Sequence, residues 1–207
     1  MLTAVVGAGG VGGLLAALLH RAGADVVLVV TSRSRQLLAE GGLRVDSDLF
    51  GRWVSRPPLS LQVPSGAAVL LAVKAPHLAQ VVPGVVAAGP SQVVTLQNGI
   101  EHVARLRGAM PHTPITPAAI YVETRRIDDP VRLPPVTIEH RSPFLRLHLP
   151  AGDEHGFAGP LRAAGAEVRY AGAEDAVLWD KFALLAPMAL LTAYHRAPLG
   201  AALARDP

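Results

Sequence analysis

Short apolar runs alternate with helix-like segments at the start of the chain. Leu2–Val6 is a largely apolar run that ends at a glycine, and Val11–Ala22 has helical spacing closed by Gly23. Asp25–Val30 is a second run rich in β-branched residues. Strands that are apolar throughout are typical of parallel sheets buried on both faces. The pattern therefore predicts a strand, a helix and a second strand in residues 2–30.

The alternation of strands and helices continues through the middle of the chain. We expect helices at Gln36–Glu40, Ala75–Val86 (with Pro83 as a kink or an end), Glu101–Leu106 and Gly156–Ala164, and strands at Ala67–Val73, Gln92–Leu96 and Glu167–Tyr170. Residues 43–63 are predicted to be irregular to β, and residues 116–149 to be antiparallel strands at a sheet edge. From Ala173 onward the pattern is mostly helical. The sequence therefore predicts an α/β doubly wound sheet over residues 1–170 and the start of an all-helical domain over 171–207.

Composition narrows the class of protein. The 207 residues contain no cysteine, which excludes disulfides, thiolate metal sites and a cysteine nucleophile from them. The net charge is +3 and the pI is about 9.8, but no arginine or lysine block forms an arm for nucleic acid. No basic export signal precedes the apolar run at Ala4, and glycines interrupt that run. We therefore expect a cytoplasmic protein that binds neither nucleic acid nor a membrane.

A glycine-rich run joins the first strand to the first helix. It reads Gly7-Ala8-Gly9-Gly10-Val11-Gly12 and satisfies the G-x-G-x-x-G pattern in the strand-to-helix context that the pattern requires. Gly7 permits a tight turn, Gly9 lets a pyrophosphate approach the backbone, and Gly12 lets helix and strand pack closely. The helix N-terminus supplies free N–H groups for the phosphates. We expect a dinucleotide site of the Rossmann type; the alternative is a glycine-rich turn without a ligand.

The end of the second predicted strand favours NADP over NAD. An NAD enzyme holds an acidic residue there for the ribose diol, but this chain has hydroxyls and guanidiniums from Thr31 to Arg35 and no acid. Ser32 and Arg33 suit a 2′-phosphate because they form charge-assisted and bidentate hydrogen bonds. The alternative is that Arg33 and Arg35 are ordinary loop arginines.

Three further residues are candidates for the site. Lys74 and Asn98 each follow a predicted buried strand, at the sheet edge where open α/β proteins bind ligands. Lys181 lies in a predicted helix between Trp179 and Phe182, and packing beside those rings would lower its pKa and make it a proton donor near neutral pH. The alternative for Lys74 is a lysine that solvates a strand end, and for Asn98 an Asn-Gly turn. The alternative for Lys181 is a solvated lysine on a helix.

Taken together, these motifs resemble the ketopantoate reductase family (2-dehydropantoate 2-reductases). The resemblance rests on the glycine-rich start, Val73-Lys74-Ala75, Leu96-Gln97-Asn98-Gly99-Ile100, Trp179-Asp180-Lys181 and the later Thr192-Ala193 and Pro198-Leu199-Gly200. It implies NADPH-dependent reduction of a 2-oxo acid in pantothenate biosynthesis. It also implies that Lys181 donates a proton to the ketone oxygen, that Asn98 contacts nicotinamide and substrate, and that Lys74 lies beside the cofactor.

The chain departs from the family pattern on the substrate side. Leu185, Ala189 and Leu199 occupy positions where the family carries asparagines, and we expect most of the family's C-terminal helical domain to be lacking. The competing hypothesis is therefore a non-catalytic NADP-binding remnant that serves as a sensor or assembly module. A helix with an unpartnered apolar face makes a homodimer plausible. The eight histidines, including His155, show no metal-ligand spacing, so we expect no metal, and we expect Arg125-Arg126 to be a loop charge.

Overall fold

The chain begins with the predicted strand–helix–strand unit. In the computed structural model, which describes residues 1–152 and 156–205, strand β1 is Thr3–Val6, helix α1 is Gly10–Arg21 and strand β2 is Val26–Val29. β1 and β2 pair in parallel, with Thr3 opposite Val26. Every residue of both strands is buried, as expected of strands covered on both faces.

The central sheet has six parallel strands. These are β1, β2, β5 (Leu59–Ser60), β6 (Ala68–Leu71), β7 (Gln92–Thr95) and β8 (Ile115–Pro117), in the order β5-β2-β1-β6-β7-β8. The strand order reverses between β1 and β6, and ligands of such sheets bind outside the carboxyl ends of the strands at that point. The predicted doubly wound fold is confirmed.

Three helices and a short turn connect these strands with shifted boundaries. Helix α2 is Ser32–Gly41, a 3-10 turn covers Ala75–His77, helix α3 is Leu78–Ala88 and helix α4 is His102–Ala109. Pro83 lies inside α3 and does not end it. The predicted start of α2 at Gln36 was wrong, because Thr31 caps the helix by accepting a hydrogen bond from the Ser34 amide at 3.2 Å.

A four-stranded sheet covers the other side of α1. It consists of β3 (Leu43–Ser47), β4 (Gly51–Ser55), β10 (Thr124–Asp128) and β11 (Val136–His140), in the order β10-β11-β3-β4. β11 pairs in parallel with β3, although the two strands are far apart in sequence. The prediction of an edge of antiparallel strands over 116–149 was therefore wrong in part, because a local alternation of residues does not reveal a distant partner strand.

A three-stranded sheet and three helices complete the described residues. β9 (Ala119–Tyr121), β12 (Arg146–Leu149) and β13 (Glu167–Tyr170) form the sheet β13-β12-β9, and helix α5 is Ala158–Ala163. Helix α6 is Glu174–His195 and helix α7 is Leu199–Leu203.

Helix α6 is long and apolar enough to cross a membrane, with a mean hydropathy of 1.5. Core helices of water-soluble proteins also pass this test of length and composition. The domain division at residue 171 stays a prediction.

Candidate active site

The glycine-rich loop between β1 and α1 is tightly packed at both ends. Gly7 has a positive φ of 107°, and a Cβ there would lie 2.8 Å from the Val73 side chain. A Cβ on Gly12 would lie 1.9 Å from the Gly7 carbonyl oxygen, so any side chain would separate the helix from the strand. These contacts agree with the turn and close packing predicted for Gly7 and Gly12.

The middle of the loop is open. Gly9 is exposed, and no atom lies within 4 Å of the place where its Cβ would stand. Gly9 caps α1 without a side-chain hydrogen bond, and the first turn of α1 has no acidic residue. The free N–H groups and the positive end of the helix dipole therefore face open space, which fits a pyrophosphate group.

The candidates for the 2′-phosphate lie at the start of α2. Ser32, Arg33 and Arg35 are exposed in its first turn, although the helix was predicted to begin only at Gln36. In the described ranges Arg33 has no ion pair or hydrogen bond, so its guanidinium is available to a ligand. An anion at this helix end would also meet the positive end of the helix dipole.

A cleft of about 800 Å³ opens at the carboxyl edge of the parallel sheet. Residues from six segments reach it, among them Val11 of the glycine loop, Lys74, Asn98, Tyr121 and Lys181. The fold thus brings Lys74, Asn98 and Lys181 to one cleft beside the glycine loop. Ser32 and Arg33 do not line it and lie at the start of α2 instead.

Lys181 is the buried cation of this cleft. Its side chain extends from α6 to β9, where its Nζ donates a hydrogen bond to the Ile120 carbonyl oxygen at 2.6 Å and lies 5.6 Å from the Tyr121 ring centre. Only 7% of the residue is exposed. This burial lowers the pKa of Lys181 from its ordinary value near 10.4 to about 8. The ammonium remains mostly protonated at neutral pH and can give up its proton readily.

The predicted cause of that lowered pKa was wrong in one respect. Trp179 is 52% exposed, and its ring contacts Phe182 edge to face, with the ring centres 5.6 Å apart. Trp179 lies two residues before Lys181 and Phe182 one residue after it, so the rings occupy other faces of α6. The lysine is desolvated because it is inserted against β9, a tertiary contact that neighbouring residues in the sequence do not reveal.

The sheet edge supplies the other polar groups. Lys74 and Asn98 are exposed after β6 and β7, and both line the cleft. Gln97 was not singled out in the sequence, yet it is buried, and its Nε2 donates to the Val73 carbonyl oxygen at 3.0 Å. That bond ties the two strand ends together and orients the segment that carries Asn98.

The α6 face beyond Lys181 is apolar. Leu185, one turn after Lys181, and Met188, two turns after it, both line the cleft. Ala189 and Leu199 do not line it, so of the three departures from the family pattern only Leu185 reaches the cleft. Pro143 and Phe144 also line the cleft.

Two expectations about polar side chains need correction. Arg126 is not a loop charge, because it lies on β10 and donates a hydrogen bond to the Ala8 carbonyl oxygen in the glycine loop at 2.7 Å. The eight histidines were expected to lie on the surface or to be hydrogen-bonded, but His102 is buried and neither of its ring nitrogens has a partner. Within residues 1–152 and 156–205 no group of acidic and histidine side chains could hold a metal ion; His155 lies outside those ranges.

Comparison with known proteins agrees with this arrangement. Residues 3–149 match the family model described as ketopantoate reductase PanE/ApbA. The uncharacterized oxidoreductase YkpB of Bacillus subtilis is 28% identical over 98% of this chain and 68% of its own. The crystal structure of a PanE/ApbA family ketopantoate reductase from Ralstonia eutropha is 26% identical, with a TM-score of 0.81 over 95% of this chain and 65% of that one. The chain thus spans about two thirds of the length of these relatives.

A more distant solved structure shares the fold. A D-mandelate dehydrogenase in complex with NADH has a TM-score of 0.70 over 87% of this chain and 58% of that one. At 21% identity, this likeness shows a shared fold. The family model covers most of the present chain, including the glycine loop, Lys74 and Asn98. The chain therefore belongs to the PanE/ApbA family of ketopantoate reductases, which are oxidoreductases.

Proposed function

We propose that the chain reduces a 2-oxo acid to the 2-hydroxy acid with NADPH. The observation that carries this proposal is the buried ammonium of Lys181, which faces the same cleft as Lys74 and Asn98 at the sheet's carboxyl edge. The open Gly9 and the exposed Ser32 and Arg33 support binding of the phosphorylated carrier. When bound, the nicotinamide carrier supplies the hydride.

Lys181 acts as the proton donor in this proposal. An ammonium has three N–H groups, and in the described part of the chain the Ile120 carbonyl is the acceptor for Lys181 Nζ. The remaining N–H groups can bind the ketone oxygen of the substrate. As negative charge develops on that oxygen, the ammonium stabilises it and transfers a proton, because its pKa of about 8 is close to the working pH.

The cleft favours a substrate with an apolar side chain. Leu185 would face the substrate where the family pattern has a polar residue, and Met188 extends the apolar wall of the cleft. A buried substrate hydroxyl without a partner costs about 1–3 kcal/mol. We therefore propose 2-oxo acids with branched or aromatic side chains as the substrate class, with 2-dehydropantoate as the reference compound.

The same apolar face supports a second candidate, an NADP-binding module without catalysis. Leu185 offers no hydrogen bond to a substrate. The exposed apolar residues of α6, such as Leu184, Leu190 and Tyr194, also support a homodimer as part of either proposal. Light scattering of the purified protein measures that association.

Oxidation of NADPH with a panel of 2-oxo acids tests the proposed reaction. The panel contains 2-dehydropantoate, 2-oxo-3-methylbutanoate and phenylpyruvate, and Lys181→Ala is the control variant. Turnover that is lost in Lys181→Ala supports the reductase. Tight binding of NADPH without turnover of any 2-oxo acid supports the non-catalytic module and contradicts the reductase.

A further inference from the structure

Arg126 connects the two helix ends at which the carrier's phosphates are expected. Its Nη1 donates to the Ala8 carbonyl oxygen at 2.7 Å and to the Ser34 hydroxyl at 3.1 Å. Ala8 belongs to the glycine loop before α1, and Ser34 lies in the first turn of α2, next to Arg33. One guanidinium therefore spans the gap between the proposed pyrophosphate and 2′-phosphate positions.

Strand β10 holds this guanidinium in place. Arg126 pairs with Ile138 of β11, and only 16% of its side chain is exposed. Thr124, two residues earlier on the same face of β10, lies so close to the loop that a Cβ on Gly10 would be 2.7 Å from its hydroxyl oxygen. The arginine is thus fixed by a sheet that packs directly on the glycine loop.

The Asp128 carboxylate binds the other two nitrogens of the Arg126 guanidinium. Asp128 accepts hydrogen bonds from Nε at 2.6 Å and from Nη2 at 3.2 Å. A planar guanidinium binds a phosphate through the same pair of N–H groups that it uses for a carboxylate. Asp128 therefore competes with any phosphate for Arg126.

We infer that Arg126 selects the phosphorylated carrier by binding its 2′-phosphate together with Ser34, and that Asp128 limits this selectivity. The inference rests on the proposed function, since it concerns the carrier of that reaction. A guanidinium within hydrogen-bond distance of Ser34 lies beside Ser32 and Arg33 in the same helical turn. NADH lacks the 2′-phosphate and therefore cannot form this contact.

Substitutions of Arg126 and of Asp128 should have opposite effects on the preference for NADPH over NADH. Arg126→Gln removes the cation and lowers the preference for NADPH over NADH by about 10-fold, the usual size of one charged hydrogen bond. Asp128→Asn removes the competing carboxylate and raises the preference. If Arg126 only braced the loop, both variants would weaken NADPH and NADH equally.

Arg125 provides a matched control for loss of one positive charge. It neighbours Arg126 on β10, points to the other face of the sheet, is 71% exposed and pairs with Glu139 at 2.8 Å. Arg125→Gln should leave the preference unchanged. If Arg126→Gln fails to fold, as judged by circular dichroism, Arg126→Lys keeps the charge but loses the bidentate geometry, and it should also lower the preference.

The experiment is a fluorescence titration of each variant with NADPH and NADH at one salt concentration. A lower ratio of affinities in Arg126→Gln or Arg126→Lys and a higher ratio in Asp128→Asn support the inference. An unchanged ratio in these variants, beside a wild-type protein that prefers NADPH, overturns the inference alone. A wild-type protein that binds neither carrier overturns the proposed function as well.

Discussion

The Nζ of Lys181 and the carbonyl oxygen of Ile120 are 2.6 Å apart, and this hydrogen bond fixes the ammonium against strand β9. A second contact holds the same helix: Arg107 of α4 forms a two-pronged ion pair with Glu174 in the first turn of α6 at 2.8 and 2.7 Å. The position of Lys181 over the cleft is thus determined by contacts at two places on α6.

The first prediction concerns the pH dependence of the reaction. Burial lowers the pKa of Lys181 to about 8, and a proton donor must be protonated to act. We expect kcat/KM for reduction to be constant below pH 8 and to fall about 10-fold per pH unit above it. Steady-state rates from about pH 6 to 10 measure this.

Lys181→Met serves as the control for that profile. It should lower kcat/KM by about 10²–10⁴-fold, the usual contribution of a general acid, and abolish the decline above pH 8. A wild-type rate that stays constant up to pH 10 would contradict the assignment of Lys181 as the donor.

The second prediction separates ligand binding from stability at Gly9. A serine there would cap α1 with its hydroxyl, because Gly9 already has an extended backbone with φ −74° and ψ −171°. The same hydroxyl would occupy the N–H groups and the space proposed for the pyrophosphate. We expect Gly9→Ser to keep or raise the melting temperature while NADPH binds at least about 10-fold more weakly.

Gly84 is the comparison glycine for this experiment. It lies exposed inside α3, and no atom outside the adjacent helix backbone lies within 4 Å of the place where its Cβ would stand. Gly84→Ala should stabilise the protein by up to about 1 kcal/mol and leave NADPH affinity unchanged. Equal NADPH affinity in Gly9→Ser and Gly84→Ala would show that the loop does not hold the carrier.

The fold was largely predictable from the sequence, because buried parallel strands and their helices leave a strong local pattern. The strands β1, β2, β6 and β7 and the glycine loop lie within a few residues of their predicted positions. The parallel pairing of β11 with β3 was not predictable, because it joins residues more than ninety positions apart. Such a pairing is specified by packing on α1 rather than by either strand alone.

The site residues that directly follow strand ends were predictable from the sequence. The residues that tertiary contacts bring to the site were not. Lys74 and Asn98 reach the cleft because parallel strands end at a common edge. The hydrogen bond of Arg126 to Ala8 crosses 118 residues and leaves no local signal. A hydrophobic pattern likewise did not show that His102 is buried without a partner, since helix α4 is short and its burial depends on neighbouring elements.

The third prediction concerns substrate choice at Leu185. Leu185→Asn would add an amide to the apolar wall of the cleft, one turn from Lys181. Relative to 2-oxo-3-methylbutanoate, we expect kcat/KM for the hydroxylated 2-dehydropantoate to rise about 10-fold, because its hydroxyl gains a partner.

Leu184→Asn is the matched substitution for Leu185→Asn. Leu184 is the preceding residue, is 53% exposed and does not line the cleft. Leu184→Asn should leave the ratio of kcat/KM for the two substrates unchanged. An equal ratio in Leu184→Asn and Leu185→Asn would show that the substrate does not bind beside Leu185.

The fourth prediction concerns stability in mild acid. Burial, and then the charge of Lys181, hold the pKa of His102 below its ordinary value near 6.5, although Glu174 opposes this. The unfolded chain therefore binds the proton more readily than the folded one. We expect the free energy of unfolding to be unaffected by this group above about pH 6.5 and to fall as the pH drops below it, by up to about 1.4 kcal/mol per pH unit.

Urea unfolding at several pH values measures this loss of stability. His102→Leu should reduce the dependence on pH, whereas His112→Gln, at an exposed position, should not. An identical dependence in wild type and His102→Leu would contradict the prediction.

The most direct test of the account follows the hydride itself. Wild-type protein is incubated with each 2-oxo acid and NADPH that carries deuterium on both faces of nicotinamide C4, and the products are examined by mass spectrometry. The account predicts a 2-hydroxy acid with one deuterium at C2, and almost none from Lys181→Met. Bound NADPH that transfers no deuterium to any 2-oxo acid would contradict it.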